Sequence, residues 1–586
     1  MQVDIFVHGA TPCGIMAALA AARAGRTVVL QAPENGIGGM LTGGLGIGDA
    51  PVNNHANWAG VTAEFINAVA AISGYNASNF LRWHGAPSAF LSVLTDMIAA
   101  EPNITLRLRE TIVRVERTEE RQENGQWAST VANRGDRIRA VYTDPCTWLS
   151  GAPGAGDVYE AKAYIDASYN GGLMAAAGVP FRAGREDADE FREQPYAGVL
   201  ADGGHTTTQS WDGVDADGDL VKYAGWRPLE AFGQSDRRFM AVGYRNCITN
   251  VSGGGNLGFY APPGYDAADF ADDIAMAQAN TAISILTREH AYNPIHRTSY
   301  NDAQAAVLIE GYDGMTVEQR QNAWLRYAST LNELNAFADK FVTNGSDIRS
   351  PLAAEFSLTT SDRRRHEIRR QLAYRELGRL HTFQNHPDVP AVVRNRFAGF
   401  GLCADEWQSD YILTQGWPSE LYEREGRRLI GQTTISFKDP AYQTTYPDSI
   451  AYGMYFMDSK AKSIWARPYG GVEYEGHFAV EPFIDADGDT VRADLYRYVS
   501  VPLRAVVPPV GTCDNLATCW GVSATEVAFA AIRLEPFLCA VGEAVGQVAV
   551  ESVVSGVPMA RLSYAPVKAR LQGAGLKLSR FEGVSP

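Results

Sequence analysis

The chain has 586 residues, 46% of them hydrophobic and 20% charged, a globular composition that excludes a disordered or fibrous protein. Its 51 basic and 67 acidic residues leave a formal net charge of −16, which argues against a chain built to neutralise nucleic-acid phosphates or anionic lipid. Length alone gives a soft prior of about four domain equivalents. The seven cysteines are odd in number and none forms a C-x-x-C pair, so reduced thiols in a cytosol are expected. No run of eighteen uncharged apolar residues suggests a transmembrane helix, because Arg533, Glu535 and Glu543 interrupt the apolar stretch 527–550. The first residues lead straight into a strand without the basic start of a signal peptide. A soluble cytoplasmic protein is the expectation.

In chain order, residues 3–8 read as a short buried strand of the parallel-sheet kind. The turn Gly9-Ala10-Thr11-Pro12-Cys13-Gly14 follows, then an alanine-rich helix over 15–24 closed by Gly25, then a second strand over 26–31. This is a βαβ unit with a glycine-rich first junction. Gly9 permits the tight turn and Gly14 lets helix and strand approach closely. The free amides at the helix start suit a pyrophosphate. Thr11 stands where the G-x-G-x-x-G pattern has its middle glycine. The acid that usually meets ribose hydroxyls at the end of strand two is also missing, since the chain reads Leu30-Gln31-Ala32-Pro33-Glu34. Gln31 or Glu34 is the candidate for that place. The run from Gly36 to Gly46 mixes glycine with Ile37, Met40, Leu41 and Leu45, as suits a backbone passing close to a flat or phosphorylated ligand.

These motifs resemble a family of FAD-dependent oxidoreductases whose opening reads GGTPAG and then GGMxTGGLG. Further matches run in order along the chain: Ile165-Asp166-Ala167-Ser168-Tyr169, Trp417-Pro418-Ser419-Glu420-Leu421-Tyr422 with Arg424-Glu425, Tyr455-Phe456-Met457-Asp458-Ser459, Val501-Pro502-Leu503-Arg504-Ala505, Ser523-Ala524-Thr525, and Ile532-Arg533-Leu534-Glu535-Pro536. Some members carry a xanthan lyase label, which is no guide to chemistry. The resemblance implies an α/β fold of the glutathione-reductase-like and fumarate-reductase-like sort, a discontinuous Rossmann-like FAD-binding domain with an inserted α+β substrate domain. Extended, non-covalent FAD would have its pyrophosphate at 9–14, its ADP ribose near 31–34 and its flavin beside 38–46. The cofactor-binding residues implied are Gly9, Thr11, Pro12, Cys13, Gly14, Gln31, Glu34, Gly38, Gly39, Met40, Thr42, Gly43, Gly44, Val113, Asp166, Ala167, Ser168, Ser523, Ala524, Arg533, Glu535 and Pro536. The helix after Ser523 would aim its amino end at the flavin pyrimidine.

The sequence departs from the family at polar places. Ala32 replaces the ribose acid, Asn170-Gly171-Gly172 replaces Glu-Gly-Asp, and Lys460 and Glu526 replace two histidines. The order of motifs places the FAD-binding domain at 1–60, 100–185 and 500–565, the substrate domain at 186–499 and a tail at 566–586. Helical periodicity is clear over 362–379, where Arg363-Arg364-Arg365 reads as a solvated face. Two acidic segments, 215–219 and 485–489, lack the glycine and the closing carboxylate of a calcium loop, so they read as tight turns. No Cys/His cluster supports a metal site and no G-x-S-x-G elbow supports a hydrolase.

Arg245, in a family-like segment, could clamp a carboxylate or hydroxyl or serve a structural ion pair. Lys460, Glu526, Tyr455 and Arg245 are the candidates for acid, base or polarising roles. The expected activity is hydride transfer from a small polar molecule, a polyol, sugar or secondary metabolite, to flavin N5, with reoxidation by O₂ or a carrier. Alternatives are a non-redox or accessory role on the same fold and a C–C desaturase or reductase. No nucleic-acid or membrane partner is expected, and the oligomeric state is left open.

Overall fold

The computed structural model describes residues 1–45, 58–72, 85–118, 122–123, 126–127, 135–149, 154–200, 206–209, 224–226, 232–250, 255–279, 290–291, 340–342, 351–408, 415–442, 444–466, 472–479, 483–484, 490–491 and 497–579. The two acidic segments at 215–219 and 485–489 lie outside the described residues.

The chain opens β1 (Gln2–His8), α1 (Pro12–Arg23), β2 (Val28–Ala32), the βαβ unit expected from the sequence. Helices α2 (Gly60–Ile72) and α3 (Pro87–Ala99) follow, then β3 (Ile104–Leu108), β4 (Glu110–Arg117), β5 (Ile138–Pro145) and β6 (Val158–Asp166). The main sheet runs β3-β2-β1-β6-β5-β4. Its centre is parallel: Val7 lies opposite Leu30 on one side and Ile165 on the other. Its far side is antiparallel, β5 pairing with both β4 and β6. A parallel-rich sheet with crossover helices is the Rossmann-like α/β arrangement.

The middle of the chain contributes β7 (Cys247–Thr249), the helix α4 (Asp362–Asn385) and β8 (Gly401–Leu402). β7 pairs antiparallel with β8. Around α4 sits a separate apolar cluster that includes Tyr244, Phe356, Ile368, Leu372, Phe383 and Trp417. The solvated arginine face predicted at the start of α4 is present at Arg363, whose side chain is 68% exposed. Arg365 is a correction: its side chain is only 6% exposed and pairs with Glu423 at 2.8 Å. A helix turns about 100° per residue, so three consecutive arginines cannot share one face.

The chain then returns through β9 (Ser449–Tyr455) and its antiparallel partner β10 (Arg497–Pro502). β11 (Leu516–Thr518) adds to the main sheet beside β6, before α5 (Glu526–Ile532) and α6 (Glu535–Ser555). α6 explains the alanines of α1. A Cβ on Gly542 would collide with the Cys13 backbone carbonyl, and one on Gly546 with that of Ala17. Small residues on both helices therefore allow backbone-to-backbone packing, and Pro12 to Ala22 are buried throughout. By length and composition α6 is apolar enough to cross a membrane. Here that apolarity serves the protein interior, and its Glu543 accepts hydrogen bonds from the Val61 and Thr62 backbone amides at 2.8 and 2.9 Å.

All seven cysteines are buried and none is in a disulfide. Two pairs nevertheless lie close: Cys247 and Cys403 sulfurs at 3.0 Å, and Cys13 and Cys519 sulfurs at 3.3 Å. Positions so far apart in the chain carry no local pattern that announces the pairing.

Candidate functional site

The turn after β1 is fixed by backbone geometry and one hydroxyl. Gly9 has φ +104°, and a Cβ there would stand 2.7 Å from the Ala167 and Ser168 backbone at the end of β6. Thr11 caps α1, its Oγ1 accepting from the Gly14 N–H at 3.3 Å and donating to the Ala167 carbonyl at 2.7 Å. The residue that breaks the glycine pattern thus ties the turn to the neighbouring strand. Pro12, which has no N–H, follows in the first helical turn. Asp166 organises the opposite lip. Its Oδ1 accepts from the Ser168 N–H and hydroxyl at 3.0 and 2.6 Å, and its Oδ2 from the Met174 N–H at 2.7 Å.

A cleft opens over this turn, lined in part by Gly9, Thr11, Glu34, Gly39, Thr42 and Ser168. Of the two candidates for the ribose position, Glu34 lines the cleft. Gln31 is wholly buried, its amide donating to the Glu110 carbonyl while its Oε1 meets His8 Nδ1 at 2.8 Å. Val113 stands apart, 53% exposed on β4. The facing wall was not anticipated from the sequence: Asp362 and Arg365 from the first turn of α4, with Ser419 and Glu420. Arg369, one turn on, pairs with Glu420 at 2.6 Å and Glu34 at 3.4 Å. The signal available was the arginine run itself, read then as solvated.

At the cleft floor, Tyr169 accepts a hydrogen bond from the Met40 N–H at 2.8 Å and donates one to Glu535 Oε1 at 2.8 Å. A Cβ on Gly39 would collide with the Tyr169 hydroxyl. Burial pushes the Glu535 carboxyl up to about 8 against the smaller opposing effect of the Tyr169 hydrogen bond. From there the glycine run continues past Gly38, which turns at φ +87°, to Gly43, packed on Glu420, and Gly44, packed on the Arg245 carbonyl.

Beyond Gly44 lies a second group of side chains, brought together from four separate stretches. Arg245 and Arg424 stack on Tyr422, at 4.4 and 4.5 Å from its ring centre. Arg533 donates to the Tyr422 hydroxyl at 3.1 Å and meets Asp458 at 3.3 Å, and Lys460 reaches Asp458 at 3.4 Å. Burial would raise the Asp458 carboxyl, but Lys460, Arg533, Arg424 and His477 hold it below the ordinary range. Tyr455 stacks on Phe456 with ring centres 4.4 Å apart, close enough to Arg533 to act on its charge. Glu526 is one step further in, paired with buried Lys462 at 2.9 Å and accepting from the Ser459 hydroxyl at 3.3 Å.

The amino end of α5 meets carboxylates. Glu186 accepts the Glu526 N–H at 2.8 Å, and Thr525, the cap, donates to Glu193 at 2.7 Å. Ser523 is buried, its Oγ accepting from the Gly431 N–H at 3.0 Å, while Ala524 bridges to Ile435. Pro536 starts α6.

An α/β sheet whose first junction carries a glycine-cleared, helix-capped anion turn defines a dinucleotide-binding protein. The residues fit FAD: Gly9 and Gly14 let β1, α1 and the end of β6 approach backbone to backbone at the turn, and Glu34, two residues beyond β2, places a carboxylate in the cleft. The chain matches the FAD dependent oxidoreductase family over residues 4–571. It belongs to that family, whose cofactor is FAD and whose members are redox enzymes.

Solved structures similar in part include THI4 of Thermovibrio ammonificans, at 18% identity and TM-score 0.21 over 31% of this chain and 64% of that one. The OxyS anhydrotetracycline hydroxylase of Streptomyces rimosus is 13% identical, with TM-score 0.22 over 36% of this chain and 42% of that one. The L-proline dehydrogenase of P. horikoshii is 14% identical, with TM-score 0.16 over 32% and 25%. The chain thus spans under two thirds of each of these structures, and likeness at this level carries no argument about activity. No curated protein matches the chain.

Proposed function

We propose that this protein oxidises a small polar organic molecule, a polyol, sugar or secondary metabolite, using non-covalently bound FAD that is restored by O₂ or a carrier. The observation that carries the reading is the continuity of the glycine run. It leaves the phosphate turn and ends against Arg245, where the Tyr422, Arg533, Asp458 and Lys460 group stands. FAD, when bound, supplies a two-electron acceptor. The chain's own residues do the rest in this proposal. Gly9, Thr11, Cys13 and Gly14 form the turn that holds the pyrophosphate, and Gly38, Gly39, Met40, Thr42, Gly43 and Gly44 line the path of the ring.

Arg245 and Arg533 orient oxygen atoms of the substrate. Lys460, whose side chain is 31% exposed, is the polar group best placed to exchange a proton with a bound molecule. Tyr455 contributes a hydroxyl beside Arg533. Glu526 is less suited, because accepting a proton would break its buried pair with Lys462. We assign the FAD-binding unit to 1–60, 100–185 and 500–565, the substrate unit to 186–499 and the compartment to the cytoplasm. One buried apolar cluster joins residues of 5–200, Met240 and 422–578, and a second lies within 242–421; this supports two interleaved units, although residues 188–200 and 422–478 of the assigned substrate unit pack into the first cluster.

The test is spectroscopic. The purified protein is expected to be yellow, and its flavin absorbance to bleach without oxygen when the right polyol or sugar is added. A colourless protein that FAD cannot reconstitute overturns the cofactor assignment. A bound flavin that neither dithionite nor any candidate substrate reduces overturns the redox role.

A further inference from the structure

The end of β2 carries Ala32 where a ribose-binding acid is expected, and Glu34 is two residues further on. The cleft wall opposite supplies a second carboxylate, Asp362, from the first turn of α4. Its position is held from both sides. Ser361 caps α4 by accepting from the Arg364 N–H at 3.2 Å, and the Thr111 hydroxyl at the start of β4 donates to Asp362 Oδ2 at 2.7 Å. Among the described residues Oδ1 accepts no hydrogen bond, and neither does Oε2 of Glu34, whose Oε1 meets Arg369. Two carboxylates therefore share one cleft, each with an oxygen uncommitted.

Ionised carboxylate oxygens only accept hydrogen bonds, so the two free ones call for neutral donors. A ribose presents two adjacent hydroxyls, each able to donate to a different carboxylate. The anion turn at Gly9 and Thr11 lines the same cleft, so a diphosphate there would leave its ribose toward the Glu34 and Asp362 side. We propose that Asp362, reaching in from outside the dinucleotide unit, shares with Glu34 the adenosine ribose hydroxyls of FAD and so replaces the acid lost at Ala32. The proposal rests on FAD being the bound cofactor. It also gives α4 a positioning function: the helix that carries Asp362 closes the adenosine end of the cleft only when the middle of the chain is folded.

The experiment titrates flavin-free full-length protein with FAD and with the analogue lacking both adenosine ribose hydroxyls, following the quenching of flavin fluorescence. The wild type is expected to prefer FAD by on the order of tenfold or more, the effect of a charge-assisted hydroxyl bond. Asp362→Ala and Asp362→Asn should lose most of that preference by weakening FAD alone, with affinity for the analogue unchanged. Asp362→Asn keeps an acceptor for Thr111, so it serves if the alanine variant does not fold. Equal preference in the wild type and the folded variants overturns the assignment of Asp362 while leaving FAD in place. Wild-type protein that binds neither compound overturns the cofactor reading, and this inference with it.

Discussion

The two ends of the glycine run are built in opposite ways. At the phosphate turn, one contiguous stretch of chain makes the site out of backbone: a positive φ at Gly9, a capped helix start and a close approach to β6. At the Tyr422 end, four separated stretches contribute side chains that hold each other by charge and stacking. A backbone site fails where its geometry is violated and nowhere else. A side-chain site fails when any one member leaves a buried charge behind.

The largest effect expected is therefore at the side-chain end. Arg533→Met removes a partner of Asp458 and of the Tyr422 hydroxyl at once, and should destabilise the protein by about 3–5 kcal/mol in urea unfolding. Substrate-dependent flavin reduction should be lost as well. A cost below about 1 kcal/mol would mean that Lys460 and Arg424 alone satisfy Asp458, and that the group is not interdependent.

The floor between the two ends gives the next effect, and it depends on pH. Glu535 is pushed from its usual 4.5 to about 8 by burial, and Glu193 likewise to about 8, by burial and then by Glu186 and Glu526. Between those values the folded protein keeps protons that the unfolded chain releases. Stability should thus fall as pH rises from about 5 to about 8, and level off above. Glu535→Gln keeps an acceptor for Tyr169 but carries no charge. It should raise stability at pH 8 by roughly 2–3 kcal/mol and make the profile shallower, the Glu193 contribution remaining, with little change at pH 5. Unfolding midpoints at the two pH values decide it, and equal gains at both would show that Glu535 is neutral or fully compensated throughout.

At the backbone end, Gly9→Ala places a methyl against Ala167 at φ +104°. It should cost about 2 kcal/mol and leave the purified protein without flavin. Gly25→Ala is the matched control. It too has positive φ, +76°, but its Cβ would meet open space, so it should cost about 1 kcal/mol and retain flavin. If both variants keep their flavin, close approach at Gly9 is not what builds the turn.

This contrast also sets what could be read from the sequence. β1, α1 and β2 were legible because their signals are local: a buried strand, a glycine turn, an alanine helix and Gly25 at its end. Glu34 and Gln31 are both named by the same local signal, and the structure puts Glu34 on the cleft and Gln31 in the interior. Asp362, Arg365 and Arg369 were not legible. Asp362 and Arg365 share the cleft with Glu34 and Arg369 pairs with it through long-range contacts that leave no trace in local spacing. The cysteine pairs were hidden likewise, by separations of 156 and 506 positions. Arg245, Tyr455, Lys460 and Glu526 were picked one at a time from motif departures. Only the folded chain shows that Arg245 and Lys460 converge on one group through Tyr422, Arg533 and Asp458, while Glu526 turns inward to Lys462.

That division between Lys460 and Glu526 yields the smallest structural effect and the cleanest chemical one. Lys460 is partly exposed and its partner Asp458 keeps Arg533 when the lysine is gone. Lys460→Met should therefore change stability by no more than about 0.5 kcal/mol. Any slowing of anaerobic flavin reduction in this variant reports on the reaction rather than on folding, and a proton-transfer role calls for a fall of about 10²-fold. Glu526→Gln is not equivalent, because it strands the Lys462 ammonium in a buried site and will slow turnover through instability alone. Flavin reduced at the wild-type rate in Lys460→Met would remove Lys460 from the chemistry, and would leave Tyr455, beside Arg533, as the remaining candidate for proton exchange.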